Sequence, residues 1–591
     1  MTAPRFIALV GKPTHLPQAR TDHLVEAARR FGLNPVLQTS GLIVLADSDA
    51  PVIAMSGQTG IAIGAVFERG GEIRGAYSKA TTVKVFEQAG GDLFRSYWGG
   101  YIAFVIDTAR GRVNVLRDPS GSLGCYLHRA DGVDFVFSDV ESAHAMGIII
   151  GAPEPTSIIH HLTYAGLRGE RTCLSGVSEV LPGTSVMLGR AEAIASQCLW
   201  TPWTFAARDH QITDRHTAAA LVGLETRRCV TTWAGQFRSI LHELSGGLDS
   251  SIVAACLADQ AATVTCMTFV TPDAGADERA YAKPMADRIG APLQTFLLDP
   301  ADADLSGMAE AMTVRPGSGA LHQVQDRMLT REVERAGVEG VFSGGGGDNV
   351  YCYLHTAAPA VDALRRHGPG PLFCRSVGDL STLHGCTPWQ AARTTLRKAM
   401  RPLRTWTRDA DFLAEDAAPT SPDPHPWLQA PAGALQGRQE HILSLMAVQN
   451  PLASQASHGP APVCYPLLSQ PLIELCLRVP TWMWIAGGRN RAVARDAFGE
   501  HLPATVLRRR TKGDFTGFLG ALYDKHRSEM TELLLDGWLA SEALLDREAI
   551  ETYLKASAPV TDYRFCRLMD LANAEVWARS WLARPRIQPV F

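Results

Sequence analysis

Ser245-Gly246-Gly247-Leu248-Asp249-Ser250-Ser251 is the stretch on which the reading of this chain turns. The run before it, FRSILHEL (237–244), reads as a strand, and IVAACLADQ after it reads as a helix. Two glycines at such a junction let the backbone turn tightly and approach a ligand. Three hydroxyls and the free N–H groups of a helix start present donors to an anion. Asp249 would repel a phosphate unless a cation lies between them, which points to Mg²⁺. The string is not the G-x-x-x-x-G-K-[ST] phosphate loop. Further along come strand TVTCMTFV (263–270), helix ERAYAKPMADRIG, strand PLQTFLLD, a helix around 320–336 and strand GVFSG (340–344). Strands alternating with helices predict a parallel sheet covered by helices.

The first third has a different rhythm. RFIALVG, GLIVLAD, GIAIGAVFE, YIAFVIDTARGRVNVLRD and GVDFVFSD are short apolar or alternating runs separated by turns. They predict β-structure, with ARGR (109–112) joining two strands as a hairpin. A short helix, a turn-rich run and a strand follow over 155–188, and a helix starts near 215. The boundary falls near 195–210. The last third reads as mostly helical, near 386–400, 434–449, 469–479, 489–499 and 515–535. The Pro-rich run DAAPTSPDPHPWLQAPAG, in the region around 405–432, predicts a mobile surface loop without regular structure.

Composition sets outer limits. At roughly 100–200 residues per domain, 591 residues imply more than one domain. Apolar residues at 46% allow a sizeable core, and 56 basic against 60 acidic residues argue against a nucleic-acid binder. The 12 cysteines include no C-x-x-C pair, so a reduced, cytoplasmic setting is expected. No segment reads as a signal peptide or a membrane span.

The string SGGLDSS resembles the pyrophosphate-binding loop of the ATP-pyrophosphatase superfamily, and most closely that of the asparagine synthetase and β-lactam synthetase group. The resemblance extends upstream to WGGYIAFVIDTARGRVNVLRDPSGSLGCYLHRADGVDFVFSD (98–139). It extends downstream to FSGGGGDN (342–349) and to YPLLSQPLIELCLRVPTWMWIAGGRNRAVARDAFGEHLPATVLRRRTKGDF (465–515). It implies a two-domain α/β and α+β protein. Residues 1–200 would form a glutaminase-like β-sandwich with helices. Residues 210–591 would form an ATP-pyrophosphatase parallel sheet with a helical extension. It assigns ATP contacts to Leu244, Ser245, Gly246, Gly247, Asp249, Ser250, Met267, Gly344, Gly345 and Arg491. Asp249 and Asp348 would hold Mg²⁺. Lys512 would be catalytic, stabilising negative charge on a carbonyl as an acyl-adenylate collapses to an amide.

Departures from the group narrow the expectation. Glutamine-dependent members have a cysteine after Met, where this chain has Thr2 and Ala3; its first cysteine is Cys125. Position 345 is Gly, not the Glu of asparagine synthetases or the basic Tyr of β-lactam synthetases, and leaves room for a larger amine. PLLSQPLIELCLRVPTWMW and RRRTKGDF resemble the lasso-peptide macrolactam synthetases, or lasso cyclases. That resemblance implies adenylation of an Asp or Glu side chain in a core peptide and ring closure by the peptide's α-amine. It implies a precursor peptide and a leader peptidase or leader-recognition protein as partners, with no nucleic acid and no membrane. The alternatives are a β-lactam or asparagine synthetase-like ligase acting on a small amino acid, and a catalytically silent ATP-fold scaffold. Of the remaining candidates, Arg489 joins Arg491 as a cation near the phosphates, and Arg508 to Arg510 stay unassigned. Asp277, Glu278 and Arg279 read as a helix cap, with Glu278 also a phosphate-side candidate. His160 and His161 read as structural.

Overall fold

The computed structural model describes residues 4–585 except 13–17, 56–58, 71–92, 108–110, 150, 190–195, 273–274, 276, 306–311, 318–319, 404, 450–458, 510–512, 514 and 557–561. The N-terminal part holds two antiparallel sheets. One runs 177–179, 126–130, 133–137, 6–11, 42–47, 33–38, and the other runs 196–198, 184–188, 112–117, 97–107, 60–68, 52–54. The expected hairpin is present, with Ile106 opposite Val113 and Asp107 opposite Arg112. Period-two alternation explains the layering. Phe6, Ala8 and Val10 face Ile61, Ile63, Ile102 and Phe104 of the other sheet. Ile7 and Leu9, pointing the opposite way, pack under helices Pro155–Thr163, Thr516–Leu535 and Arg564–Leu582. Cys125 lies in the inter-sheet core, where burial pushes its thiol up to about 12, so it is a packing residue.

The outer face of the second sheet, through Tyr97, Tyr101 and Leu116, packs towards helix Arg215–Ala234 and the C-terminal part. There the expected parallel sheet is found, in the order 293–297, 263–270, 239–243, 340–343, 463–464, with every neighbouring pair parallel. Helices Leu248–Leu257, Arg279–Arg288 and Ala320–Ala336 make the crossovers. The strand order reverses between Ser239–Glu243 and Gly340–Ser343. A ligand crevice opens at such a reversal, outside the carboxyl ends of the strands. Both glycine-rich loops leave those two strands there. The two-residue strand Val463–Cys464 was too short to announce itself in the sequence.

The Pro-rich segment corrects an expectation. It lacks regular structure apart from the turn Pro426–Leu428, but it is not a mobile surface loop. Phe412, Leu413, His425 and Trp427 are buried. Trp203 Nε1 donates to the Trp427 carbonyl at 2.8 Å, and Asp423 N donates to His160 Nε2 at 2.8 Å. Tyr164 Oη donates to the Pro419 carbonyl at 3.1 Å. Proline prevents a ladder but not side-chain anchoring, so the segment straps helix Pro155–Thr163 to the rest of the chain. His160 is thus structural. His161 is half-buried, and desolvation pushes its imidazole down to about 3.

Two buried carboxylates tie the halves together. Glu179, at the edge of the first sheet, accepts from Arg117 at 2.6 Å, Arg168 at 2.8 Å and Arg315 at 2.5 Å. Arg315 comes from the segment before helix Ala320–Ala336. Glu474, on helix Gln470–Arg478, accepts from Arg69 Nη1 at 2.6 Å and Trp200 Nε1 at 2.7 Å. Burial opposes ionisation of Glu179, but Arg168, Arg315 and Arg117 outweigh it and hold the carboxyl well below the usual range. Removing one partner of such a group costs about 3–5 kcal/mol. Glu179→Gln should therefore lower the denaturant midpoint, measured by fluorescence. Because the folded-state pKa is depressed, the stabilisation is full above the ordinary value of about 4.3 and is lost as pH falls below it. The gap between wild type and variant should close in acid.

Candidate active site

The crevice is a cleft of about 580 Å³ lined by both loops. Its floor follows from the sequence at the strand ends. His242 is fully buried, with Nδ1 3.0 Å from the Phe342 carbonyl and Nε2 2.9 Å from the Ser250 carbonyl, so it staples the two loops at their base. Leu244 is buried and its N–H donates to the Met267 carbonyl at 2.8 Å, which sets Met267 beside the first loop. Gly246 has φ +66°, and a Cβ there would press on the Tyr281 and Ala282 backbone. Ser245 Oγ accepts the Gly247 N–H at 3.2 Å and lies 3.2 Å from Ser250 Oγ. Helix Leu248–Leu257 starts at Gly247 with no side-chain cap, so its first N–H groups face the cleft.

The two aspartates converge. Arg491 Nη1 donates to Asp249 Oδ1 at 3.0 Å and Oδ2 at 2.8 Å, and also to Asp348 Oδ1. Arg491 takes a left-handed backbone, φ 50°, which costs about 1–3 kcal/mol for a residue with a Cβ. Its guanidinium also lies 4.8 Å from the centre of the Tyr353 ring. Gly347 makes the convergence possible, because a Cβ there would collide with the Asp249 carboxyl group. Mg²⁺ is held by one or two carboxylates together with substrate phosphates. The pair Asp249 and Asp348, already gathered about a cationic group, fits that donor set. Among the described residues no cluster of three or more His, Cys, Asp or Glu forms a self-sufficient metal site.

The basic run separates by direction. Arg509 points inward, with Nη2 2.5 Å from Glu278 Oε1 and its guanidinium 4.1 Å from the centre of the Tyr281 ring. Arg508 and Arg489 are exposed. Glu278 corrects the capping expectation: it precedes helix Arg279–Arg288 but makes no side-chain cap. Its carboxylate holds Arg509 and accepts the Gly513 N–H at 3.1 Å, while Asp277 accepts the Arg279 N–H at 3.0 Å. Arg495 lines the same end; burial, then Arg491 and Arg489, pushes its guanidinium down to about 10, still charged at neutral pH. Lys512 and Thr2 lie outside the described residues.

Position 345 brings a second correction. A Cβ on Gly345 would lie 2.9 Å from the Tyr465 ring, so the expected room is filled by a tyrosine from a distant segment. Glu243, Arg495, Tyr353 and Tyr465 line the cleft without having been singled out from the sequence, and Arg509, left unassigned there, lines it too. Of these, only Arg509 carried a signal in the sequence, as one of three adjacent arginines. Ser245, Gly247, Asp249, Ser250, Met267, Gly344, Gly345, Asp348 and Arg491 all line it, and Leu244 joins them at its floor.

With this geometry in place, the class is an ATP-using amide ligase built on a parallel sheet. The chain belongs to the asparagine synthase family, whose model matches residues 226–579. Enzymes of that family form amide bonds at the expense of ATP. No curated protein sequence matches the chain. Among solved structures, it is similar to an allosteric regulatory enzyme of purine biosynthesis. Identity is 10% and the TM-score 0.22, over 51% of this chain and 82% of that one. It is also similar to glutamine phosphoribosylpyrophosphate amidotransferase from B. subtilis, complexed with ADP and GMP. Here identity is 10% and the TM-score 0.20, over 58% and 81% of the chains.

Gly347→Ala tests the convergence. A misplacement of about 1 Å at a reacting centre costs on the order of 100-fold. ATP consumption should fall by about that factor, while thermal unfolding stays cooperative.

Proposed function

We propose that this protein is an AMP-forming amide ligase that closes a macrolactam in a lasso precursor peptide. The observation that carries the ligase reading is the meeting of Asp249, Asp348 and Arg491 where two glycine-rich loops leave adjacent parallel strands. The peptide reading rests on the strings at 466–484 and 508–515 that resemble lasso cyclases.

A side-chain carboxylate of the peptide attacks the α-phosphorus of ATP. The bond from that phosphorus to the bridging oxygen breaks, and pyrophosphate leaves. The peptide's α-amine then attacks the acyl carbonyl, forming the C–N bond and expelling AMP. Arg491, Arg495 and Arg509 supply positive charge at the phosphate end, and the start of helix Leu248–Leu257 supplies N–H donors. Mg²⁺, held by Asp249 and Asp348, would neutralise phosphate charge. Lys512 is assigned the developing oxyanion. The precursor peptide and a leader-recognition protein complete the system. Among the described residues no helix is long and apolar enough to cross a membrane.

One observation favours a second reading, ring closure of a small amino acid as in β-lactam synthetases. The Tyr465 ring returns a phenol to the neighbourhood of position 345. Against it, burial and then Glu243 and Asp326 raise that phenol well above its ordinary value, which weakens it as a base.

The test is incubation of the protein with ATP, Mg²⁺ and a synthetic core peptide encoded beside its gene. Mass spectrometry should show the peptide lighter by one water, with one AMP formed per ring and no need for glutamine. Lys512→Ala should slow ring formation by about 100-fold or more, and Asp249→Ala should abolish AMP release. Unchanged peptide without AMP overturns the reading.

A further inference from the structure

The cleft has a second end that the ligase reading leaves unused. Glu243 is the last residue of strand Ser239–Glu243 and lines the cleft, in register with Ser343 on one side and Met267 on the other. Ser343 Oγ accepts the Gly345 N–H at 3.2 Å, and Ser343 is the register partner of Glu243. Glu243 is thereby tied to the position beside which the Tyr465 ring stands. Helix Ala320–Ala336 brings His322, Gln325 and Asp326 towards the same end; His322 and Gln325 line the cleft. Burial and then repulsion from Glu243 push the Asp326 carboxyl up to about 7, and burial raises Glu243 as well. Burial lowers the His322 imidazole, so it is neutral at neutral pH. No lysine or arginine pairs with Glu243 among the described residues, whereas Arg491, Arg495 and Arg509 all stand at the phosphate end.

We propose that this acidic end is the amine subsite, and that Glu243 is the base that deprotonates the attacking amine, with Asp326 as its positioning neighbour. The inference rests on the amide-ligase reading above. The α-amine enters as an ammonium, drawn to the carboxylates and repelled from the arginines. Glu243 takes one proton and leaves a neutral amine with its lone pair free. That lone pair forms the C–N bond at the acyl carbonyl as the bond to the AMP oxygen breaks. The second nitrogen proton leaves on the AMP phosphate, and Glu243 returns its proton to water. Two half-buried carboxyls near enough to repel resist double ionisation, so one of them stays able to exchange a proton near neutral pH.

Two half-reactions separate this inference from the reading beneath it. Adenylation is followed as peptide-dependent exchange of labelled pyrophosphate into ATP, using the synthetic core peptide. Ring closure is followed by loss of one water from the same peptide. Glu243→Gln should keep pyrophosphate exchange within about twofold, which also shows that it folds. Its ring-closure kcat should fall by about 100-fold or more, with the remaining rate rising with pH as the amine itself deprotonates. Asp326→Asn removes the repelling charge and should move the acidic limb of the closure profile to lower pH. Glu243→Gln closing rings at the wild-type rate, or losing exchange and closure together, overturns the assignment of the base alone. A wild type without exchange overturns the ligase reading instead.

Discussion

The meeting of Asp249 and Asp348 at Arg491 is the constraint on which the phosphate end of the cleft depends. Two unit charges about 4 Å apart repel by about 4 kcal/mol at an effective dielectric constant of 20. The sheet topology forces the approach by placing the strands before them side by side, and the missing Cβ of Gly347 removes the last obstacle. A cationic group has to answer the repulsion, and Arg491 does so from a strained backbone. The same requirement suits the pair to the divalent ion proposed above, which would be bound together with phosphates.

The antiparallel sandwich is more than an attached relic. Through Glu179 it holds Arg315, which immediately precedes the helix carrying His322, Gln325 and Asp326. Arg315 also donates to the carbonyls of Gly169 and Arg171, each at 2.7 Å, so the segment is clamped at several points. The sandwich therefore fixes where that helix meets the cleft. On the other side, Arg69 and Trp200 fix helix Gln470–Arg478 through Glu474, just after Tyr465. Both walls of the acidic end are thus referenced to the N-terminal sheets.

Local sequence revealed the elements that obey local rules. The parallel strands, their crossover helices and the loop SGGLDSS follow from periodicity and turn chemistry, and strand Thr263–Val270 and helix Ala320–Ala336 match their expected bounds. What stayed hidden depends on contacts across long separations. Tyr465 reaches Gly345 from a segment more than a hundred residues away, so no window of sequence could place its ring there. Glu278 sat where a cap is expected, but Arg509 draws its carboxylate elsewhere. The run around 416–433 was read by its prolines, which do forbid ladders. Its anchoring lies in partners such as His160, Tyr164 and Trp203, all from the distant N-terminal half.

The charge distribution along the cleft sets the order of substrates in space. Three arginines and a helix start face one end, and Glu243, with no basic partner among the described residues, lines the other. A polyphosphate placed at the acidic end would meet repulsion from Glu243 and lose the N–H donors of helix Leu248–Leu257. An ammonium placed at the basic end would meet Arg491, Arg495 and Arg509. Each substrate is therefore excluded from the other's position by charge as well as by shape, and only one arrangement remains. On the proposed reading, the carbonyl to be attacked lies between the ends, near Gly344 and Gly345, where backbone rather than side chain lines the wall. A carboxylate can reach that point without displacing a side chain, which a substituent at position 345 would prevent because Tyr465 already fills the adjoining space.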